Sequence, residues 1–448
     1  MPRPIELHAA WVYTGEAHSG LLKDHTLCID ENGKIEALIP TREAARNPGA
    51  QQIELGNHLL MPGLINCHGH AAMTLLRGFA DDLALTPWLQ DHIWPTEGRW
   101  VDADFVRDGV NIAMAEMIKT GTTTFSDQYF FPDSTAQAAC DAGMRCQVNF
   151  PIINVPTQWA SEPNEYLSKG LAVRDKFKSS ELVSVIFGPH SPYSLEERDI
   201  AKIATLANEL EMGIQMHVHE TKPEVLHAVE INGERPITTL KRLGMLGPHM
   251  QCVHMVWLSK DDIRAIADSG SHVIHCPSSN MKLASGACPV SDLLDAGINV
   301  AIGTDGAASN NGLNLFAEVR LAALLAKLTT GNPASLNAEQ ALHMATLGGA
   351  KALGLDHETG SLQQGKWADV IAISFDDASM QPLHNPISQV VYAGHGAHVQ
   401  HSWVAGRQLL NNGKLQTLDE SKIIRGAQAW RAKIGSNANP TTSAEELA

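Results

Sequence analysis

The sequence lacks the features that mark membrane, secreted and nucleic-acid-binding proteins. In its 448 residues, no apolar run reaches the roughly 18 residues that a membrane span needs. The opening MPRPIELHAAWVYTG does not join a charged segment to a long apolar one, so we expect no signal peptide. The seven cysteines are odd in number and form no CxxC pair, which favours a reducing cytoplasm over a disulfide framework. Lys and Arg number 33 against 49 Asp and Glu, and the net charge of -16 argues against binding to nucleic acid or an anionic membrane.

Both ends of the chain carry patterns typical of β-strands. Near the start, alternating runs flank Asn32-Gly33, a dipeptide typical of hairpin turns. Near the end, GKWADVIAIS and HVQHSWVAGRQLLNNGKLQ have the same texture, and SNANPTTSAEEL is typical of a frayed tail. We therefore predict one composite β-sandwich domain built from residues 1–60 and 357–448.

The middle of the chain alternates short apolar runs with helical patterns, several of which end at a glycine. This alternation predicts an α/β protein whose residues 61–356 form a (β/α)8 barrel. A doubly wound open sheet is the structural alternative. The predicted strands cover residues 60–68, 122–127, 144–150, 182–188, 212–218, 250–256, 271–276 and 298–304.

One long connection, residues 69–121, separates the first two predicted strands. It carries Trp88, Trp94, Glu97 and Trp100. Long insertions in compact domains are usually lids or binding loops, so we expect this segment to cover a site.

Histidines and an acid stand where predicted strands end, and barrel enzymes place their chemistry at those ends. His68 and His70 are two residues apart on a strand, so both imidazoles can face one metal ion. His217 ends the fifth strand, and Asp305 follows the eighth beside a glycine. The histidine pair alone is weak evidence, and Asp305 alone fits a turn or helix cap equally well. Their joint placement favours a metal site.

Three further polar residues belong to the same strand ends. Glu220, three residues after His217, would lie near the ion without binding it, and His254 ends the sixth strand. We expect His219 to be structural. The alternative for this group is a set of buried polar side chains satisfied by hydrogen bonds.

The motifs around these residues resemble those of the amidohydrolase superfamily. MPGLINCHGHAAMTLLRG is similar to its opening motif. HCPSSNMKLASG, GTDGAASNN and GSLQQGKWADVIAI resemble the branch that contains chlorotriazine hydrolases and adenosine-type deaminases, and most of all its 5'-methylthioadenosine/S-adenosylhomocysteine deaminases. The resemblance spans about residues 5–415 and implies a (β/α)8 barrel with a small β-sandwich from both chain ends.

The resemblance also implies one divalent metal ion held by His68, His70, His217 and Asp305. Relatives with two metal ions use a modified lysine at the fourth strand, where this chain has His190. One ion is therefore predicted. Three imidazoles and a carboxylate suit Zn²⁺, although Fe²⁺ or Mn²⁺ could also bind.

The implied reaction is hydrolytic deamination of an adenine ring. A bound zinc ion lowers the pKa of water to about 7. Asp305 is expected to accept the proton of that water, and His254 to orient the nucleophile. Glu220 is expected to protonate the ring nitrogen beside the attacked carbon.

For the substrate, a nucleoside, the resemblance points to Glu97 as acceptor of the ribose diol, to His190 at the purine and to Trp88. Glu220 and Asp305 are expected to contact the substrate as well. The alternatives are that Trp88 only packs the lid and that Glu97 is a solvated loop residue.

Some relatives that act on S-adenosylhomocysteine place arginines after the third strand to meet its carboxylate. The corresponding stretch, INVPTQWASEPNEY, contains neither Arg nor Lys. We therefore favour 5'-methylthioadenosine, with S-adenosylhomocysteine or adenosine as other candidates. Met73, Leu76 and Phe79 could form an apolar pocket for a methylthio group, or could equally be core residues.

Two other functions fit parts of the pattern. One is a deaminase or chlorohydrolase acting on triazines, guanine or pterins, whose substrates lack a ribose diol. The other is a non-catalytic barrel scaffold. Every ligand and proton-transfer position is filled in this chain, which argues against a scaffold. Members of the family that this chain resembles are usually homodimers or larger assemblies, so we expect the same of this chain.

Overall fold

The computed structural model describes residues 3–16, 20–44 and 47–435, and the predicted tail lies outside them. No helix in these ranges is both long and apolar enough to cross a membrane. All seven cysteines are free thiols. The strands are β1 (Ile5–Tyr13), β2 (Leu21–Ile29), β3 (Ile35–Pro40), β4 (Gln51–Pro62), β5 (Leu64–Asn66), β6 (Thr122–Gln128), β7 (Arg145–Ile152), β8 (Val183–Pro189), β9 (Ile214–Val218), β10 (Met250–His254), β11 (His272–His275), β12 (Val300–Ile302), β13 (Val370–Ser374), β14 (Val399–Val404), β15 (Arg407–Asn411) and β16 (Lys414–Leu415).

Helices fill most of the chain between the central strands. A π-helix at Trp88–Ile93 joins the first two α-helices. The α-helices are α1 (Leu85–Pro87), α2 (Trp94–Trp100), α3 (Ala103–Lys119), α4 (Pro132–Ala142), α5 (Pro163–Phe177), α6 (Glu197–Glu209), α7 (Lys222–Asn232), α8 (Pro236–Arg242), α9 (Lys260–Ser269), α10 (Pro277–Lys282), α11 (Val290–Asp295), α12 (Ala307–Asn310), α13 (Leu315–Thr330), α14 (Ala338–Met344), α15 (Leu347–Ala352), α16 (Pro386–Tyr392) and α17 (Glu420–Gly435).

Strands β5 to β12 form a parallel sheet in sequence order. Two backbone hydrogen bonds close this sheet between its first and last strands. The Cys67 N–H donates to the Ile302 carbonyl at 2.9 Å, and the Asp305 N–H donates to the His68 carbonyl at 3.0 Å. The predicted (β/α)8 barrel is confirmed, and the open-sheet alternative is wrong.

The first predicted barrel strand, 60–68, is wrong as a single element. β4 ends at Pro62 in the terminal sheet and β5 begins at Leu64 in the barrel. A Cβ atom on Gly63 would lie 2.1 Å from Thr123 Oγ1, so glycine is required where the chain passes this close to β6. Both sheets bury their part of this apolar run, and the hydrophobic pattern therefore did not reveal the break.

The strands from both chain ends form one eight-stranded sheet in the order β16-β15-β14-β13-β4-β1-β2-β3. The hairpin predicted at Asn32-Gly33 is confirmed, because β2 pairs with β3 across it. In a flat sheet β3 and β13 would be four strand spacings, about 19 Å, apart. Instead Lys34, just before β3, bridges to Trp367, just before β13. The sheet therefore curls over an apolar core of its own, as the predicted sandwich requires.

A buried ion pair joins the barrel to the terminal sheet. The Arg145 guanidinium on β7 donates to both carboxylate oxygens of Asp369 at 2.7 and 3.2 Å, and to the Glu181 carbonyl at 2.7 Å. The two charged side chains are 3% and 1% exposed. Removing one partner of such a pair leaves an uncompensated buried charge. The exact domain boundaries, 60/61 and 356/357, stay a prediction.

We predict that Arg145→Met lowers the midpoint of thermal unfolding by roughly 5 °C, because it strands the Asp369 carboxylate and costs about 3–5 kcal/mol. Differential scanning calorimetry measures the change. The control is Arg107→Met, which removes an arginine whose ion pair with Asp104 is solvent-exposed. This control should shift the midpoint by no more than about 2 °C. Equal losses in both variants would contradict a special role for the buried pair.

Candidate metal centre and substrate cavity

The predicted ligands meet at the carboxyl end of the barrel. His68 and His70 follow β5, His217 lies on β9, and Asp305 follows β12. His254 at the end of β10 and Asp305 both have positive φ angles, of 74° and 62°. Non-glycine residues in this left-handed region are strained, and such strain clusters at functional sites.

The three histidines share one orientation. Each uses Nδ1 to donate to an oxygen, which leaves the Nε2 lone pair free to point into the site. The acceptor for His68 is the side-chain oxygen of Gln215. Gln215 Nε2 donates to the Cys67 carbonyl, which turns the Gln215 oxygen toward the His68 ring. The three bonds run from His68 to Gln215 Oε1 (2.7 Å), from His70 to the Gln128 carbonyl (2.6 Å) and from His217 to the His190 carbonyl (2.7 Å).

The Nε2 atoms of His68 and His217 face each other at close range. The Nε2 atoms of His68 and His217 are 3.2 Å apart, and with both Nδ1 atoms protonated no hydrogen lies between them. Asp305 Oδ1 is 3.4 Å from His68 Nε2 and 3.3 Å from His70 Nε2. Ligand atoms around a tetrahedral zinc ion with bonds of about 2.05 Å are separated by about 3.3 Å. These three separations fit a zinc-sized cation next to His68. The possible ligand atoms fall into two groups that share His68, one with His70 and Asp305 and one with His217 and His254, each within 4.8 Å.

The protonation states of three of the four predicted ligands agree with this donor set. Burial lowers the pKa of His70, but its hydrogen bond to Asp305 and the charge of that carboxylate raise it to about 9, so His70 must lose its Nε2 proton to bind a metal. Burial lowers the pKa values of His68 and His217, which keeps both rings neutral at pH 7. Burial alone would raise the pKa of Asp305, but its contacts with the His68 and His70 rings hold that pKa well below its usual range. Neutral imidazoles and an ionised carboxylate are the forms that bind a metal.

Two serines that sequence analysis missed hold Asp305 in place. Ser279 and Ser309 both donate to Oδ2, at 2.6 and 3.0 Å, while the Gly306 N–H donates to Oδ1 at 2.8 Å. Both serines lie inside the motifs HCPSSNMKLASG and GTDGAASNN, which were the available signal. They fix the carboxylate plane and leave Oδ1 beside the histidines.

Glu220 and His254 stand together beside the ligands. His254 Nε2 is 3.8 Å from Glu220 Oε2, and its Nδ1 is 2.9 Å from Asn280 Oδ1. Burial, reinforced by the charge of Asp305, raises the pKa of Glu220 to about 8. At neutral pH Glu220 therefore carries a proton that it can donate.

His219 has a different environment. Its Nδ1 donates to the Trp257 carbonyl at 3.0 Å, and its Nε2 accepts from the Ile237 N–H at 3.3 Å. Both ring nitrogens are used by the backbone, in agreement with the structural role predicted for this residue.

A cavity of about 710 Å³ opens above these residues. It is lined by His70, His217, Glu220, His254 and Asp305 and by the three predicted substrate residues, Trp88, Glu97 and His190. Met73 also lines it, whereas Leu76 and Phe79 do not, which favours the core alternative for those two. Leu76 is fully buried in the core instead. Most other lining side chains are apolar or aromatic.

The predicted substrate residues approach this cavity from three directions. His190 lies after β8 with its ring centroid 4.7 Å from that of His217, and burial lowers its pKa to about 4. Trp88 on the π-helix is buried. Glu97 on α2 accepts a hydrogen bond from the Tyr129 hydroxyl at 2.6 Å. The long connection is thus helical and forms one wall of the cavity.

We predict that the chain, stripped of metal with a chelator, rebinds one equivalent of zinc. His217→Ala should weaken zinc binding at least tenfold, because it removes one converging lone pair. His254→Ala should keep the equivalent, since the Nδ1 of that ring already faces Asn280 and its Nε2 faces Glu220. Titration with a competing chromophoric chelator measures both. Equal losses in the two variants would make His254 a ligand.

Comparison with known proteins identifies a family and relatives with similar sequences. The model of the amidohydrolase family matches residues 59–409. The chain is 49% identical over 430 residues to the 5-methylthioadenosine/S-adenosylhomocysteine deaminase of Teredinibacter turnerae, which covers 96% of this chain and 97% of that protein. It is 39% identical to a 5'-deoxyadenosine deaminase of Methanosarcina mazei, over 97% of this chain and 99% of that protein.

Solved structures give the same relationship. An adenosine deaminase from Xanthomonas campestris with bound zinc superposes with a TM-score of 0.94 at 40% identity, over 96% of this chain and 98% of that chain. The fold, the strand-end residues and these matches agree with one another. The chain belongs to the amidohydrolase family.

Proposed function

We propose that this chain is a hydrolytic deaminase of adenosine-type nucleosides that works with one divalent metal ion, zinc. One observation carries the proposal: Glu220 and His254 line one large cavity together with His70, His217 and Asp305. A relative 40% identical to this chain has been crystallised with bound zinc. Curated relatives with similar coverage are named for deamination of adenosine derivatives.

His68, His70, His217 and Asp305 would hold the ion. When bound, it would supply the Lewis acidity that makes water a competent nucleophile near neutral pH. Asp305 would receive the proton that the attacking water loses. Its carboxylate is ionised and already fixed by Ser279 and Ser309, so it needs no reorientation to act as acceptor.

Glu220 would donate its proton to the ring nitrogen next to the carbon that bears the amino group. Protonation withdraws electron density from that carbon as water attacks. The proton that Asp305 received would then pass to the amino group, which leaves as ammonia, and the remaining hydroxyl proton of the intermediate would return Glu220 to its protonated form. His254 would orient the attacking water and stabilise the charge that develops. Each acid–base contribution of this kind is typically worth about 10²–10⁴-fold in rate.

The cavity wall supports a nucleoside over a free base. Glu97 Oε1 accepts from Tyr129, and Oε2 is free to accept hydrogen bonds from a ribose diol, which triazines, guanine and pterins lack. His190 would contact the purine as a neutral ring, and Trp88 would pack against the substrate.

The same wall favours a neutral 5' substituent. The described residues that line the cavity include neither Lys nor Arg. They include four acidic residues, Glu97, Glu196, Glu220 and Asp305. A carboxylate entering with S-adenosylhomocysteine would be desolvated without a cationic partner. We therefore propose 5'-methylthioadenosine as the preferred substrate.

We also propose a cytoplasmic location and a homodimer or larger assembly. Apolar side chains exposed one turn apart on α13, Leu324 at 47% and Leu328 at 78%, support association. Size-exclusion chromatography with light scattering tests the assembly, and a monomer at micromolar concentration would contradict it.

We predict that Glu220→Gln keeps its zinc but loses about 10²–10⁴-fold in kcat, because the amide cannot donate and recover the catalytic proton. Ammonia release from 5'-methylthioadenosine measures the rate, and metal analysis of the same sample measures zinc. Glu230→Gln, an exposed position on α7, is the matched control and should be unchanged. Near-normal turnover of the Glu220 variant would remove this residue from the proton transfer.

A second prediction concerns the 5' substituent. The kcat/KM for 5'-methylthioadenosine should exceed that for S-adenosylhomocysteine at least tenfold. Gln158→Arg should reduce this preference roughly tenfold, because the new arginine could pair with the carboxylate of S-adenosylhomocysteine. One such pair, worth about 1.4 kcal/mol, corresponds to a factor of ten. Gln158→Met, which adds no charge, should leave it unchanged. A wild-type preference for S-adenosylhomocysteine would contradict the proposed selection.

A further inference from the structure

The residues at the end of β6 touch three parts of the site in succession. The Asp127 carboxylate accepts from the Ala71 N–H at 2.6 Å, next to the ligand His70. The Gln128 carbonyl accepts from Nδ1 of His70 at 2.6 Å. The Tyr129 hydroxyl donates to Glu97 at 2.6 Å. One short segment therefore contacts both the metal-ligand loop and the carboxylate on the opposite wall.

The hydrogen bond from Tyr129 is the main polar contact of the Glu97 side chain. Among the described residues, Tyr129 supplies the one direct hydrogen bond to this carboxylate, and no Lys or Arg pairs with it. Tyr129 is 5% exposed, and burial raises the pKa of its hydroxyl well above the usual value. The phenol therefore stays a donor, and Glu97 Oε1 stays occupied by it.

A carboxylate has two oxygens, and anchoring one of them fixes the direction of the other. With Oε1 held by Tyr129, Oε2 is the oxygen left for a partner from the cavity. Tyr129 follows directly on Gln128, which holds His70, so the distance between the metal ligands and Glu97 is set by adjacent residues. Loss of the hydroxyl would free the carboxylate to rotate away from that distance.

We propose that Tyr129 is a positioning residue that makes the site selective for nucleosides with a free 2',3'-diol. It acts through Glu97, which it aims at the diol while β6 keeps that carboxylate in register with the metal ligands. This inference rests on the proposed function, because it takes Glu97 as the group that meets the ribose.

Tyr129→Phe removes the hydroxyl and keeps the ring. We expect kcat/KM for 5'-methylthioadenosine to fall roughly 10- to 100-fold, the value of one hydrogen bond to a charged group, mainly through KM. For the 2',3'-dideoxy analogue, which offers Glu97 no hydroxyl, kcat/KM should change less than twofold. Tyr13→Phe removes the hydroxyl of a buried tyrosine in β1 that does not line the cavity, and it should affect neither substrate.

A purely structural role would reduce both substrates equally, and that result would overturn the proposal. So would unchanged kinetics with the diol substrate. In a Glu97→Gln background, Tyr129→Phe should cost little more, because the oriented carboxylate is already gone. Additive losses would likewise count against positioning through Glu97.

A binding measurement separates this inference from the proposed function. In the Glu220→Gln background, calorimetry can measure the affinity of 5'-methylthioadenosine and of its dideoxy analogue without turnover. Tyr129→Phe should weaken only the first, roughly 10-fold or more. A wild-type protein that releases no ammonia would overturn the proposed function, while this affinity ratio would still decide the role of Tyr129.

Discussion

The site depends on imidazole lone pairs that are aimed at one another. In His68 and His217 the Nδ1 atom is committed to an oxygen acceptor, so two lone pairs face each other across 3.2 Å with no proton to share. Two lone pairs that face each other in this way favour a cation between them. Asp305 adds negative charge at 3.3–3.4 Å from two of the ring nitrogens and makes the centre still more favourable to a cation.

The barrel interior maintains this arrangement through a connected set of polar side chains. Gln215, beneath His68, also contacts Asn149 at 2.9 Å and Gln251 at 2.6 Å. Gln251 in turn donates to Gln147 at 3.0 Å. Linked hydrogen bonds of this kind restrict each side chain in turn, although Asn149 Oδ1 has no hydrogen-bond partner among the described residues. The side chain that orients His68, a predicted ligand, is thus held by its own neighbours.

The chemistry above the metal centre divides between two kinds of element. Rigid strand ends carry the ligands, Glu220 and His254, whereas Glu97 and Trp88 come from helices of the long connection between β5 and β6. A group on such a connection needs an anchor to stay at a set distance from the strands. The hydrogen bond from Tyr129, which follows β6, supplies that anchor.

The sequence by itself determined the strand–helix alternation, the two β-rich ends and the candidates His68, His70, His217 and Asp305, because periodicity and strand-end placement are local properties. The tertiary structure decided where β4 gives way to β5 and which partner each side chain meets. His68 and its acceptor Gln215 are 147 residues apart, and Glu97 and Tyr129 are 32 apart. The barrel brings His68 to Gln215, and packing of the long connection against the end of β6 brings Glu97 to Tyr129. No local pattern in the chain could reveal these contacts.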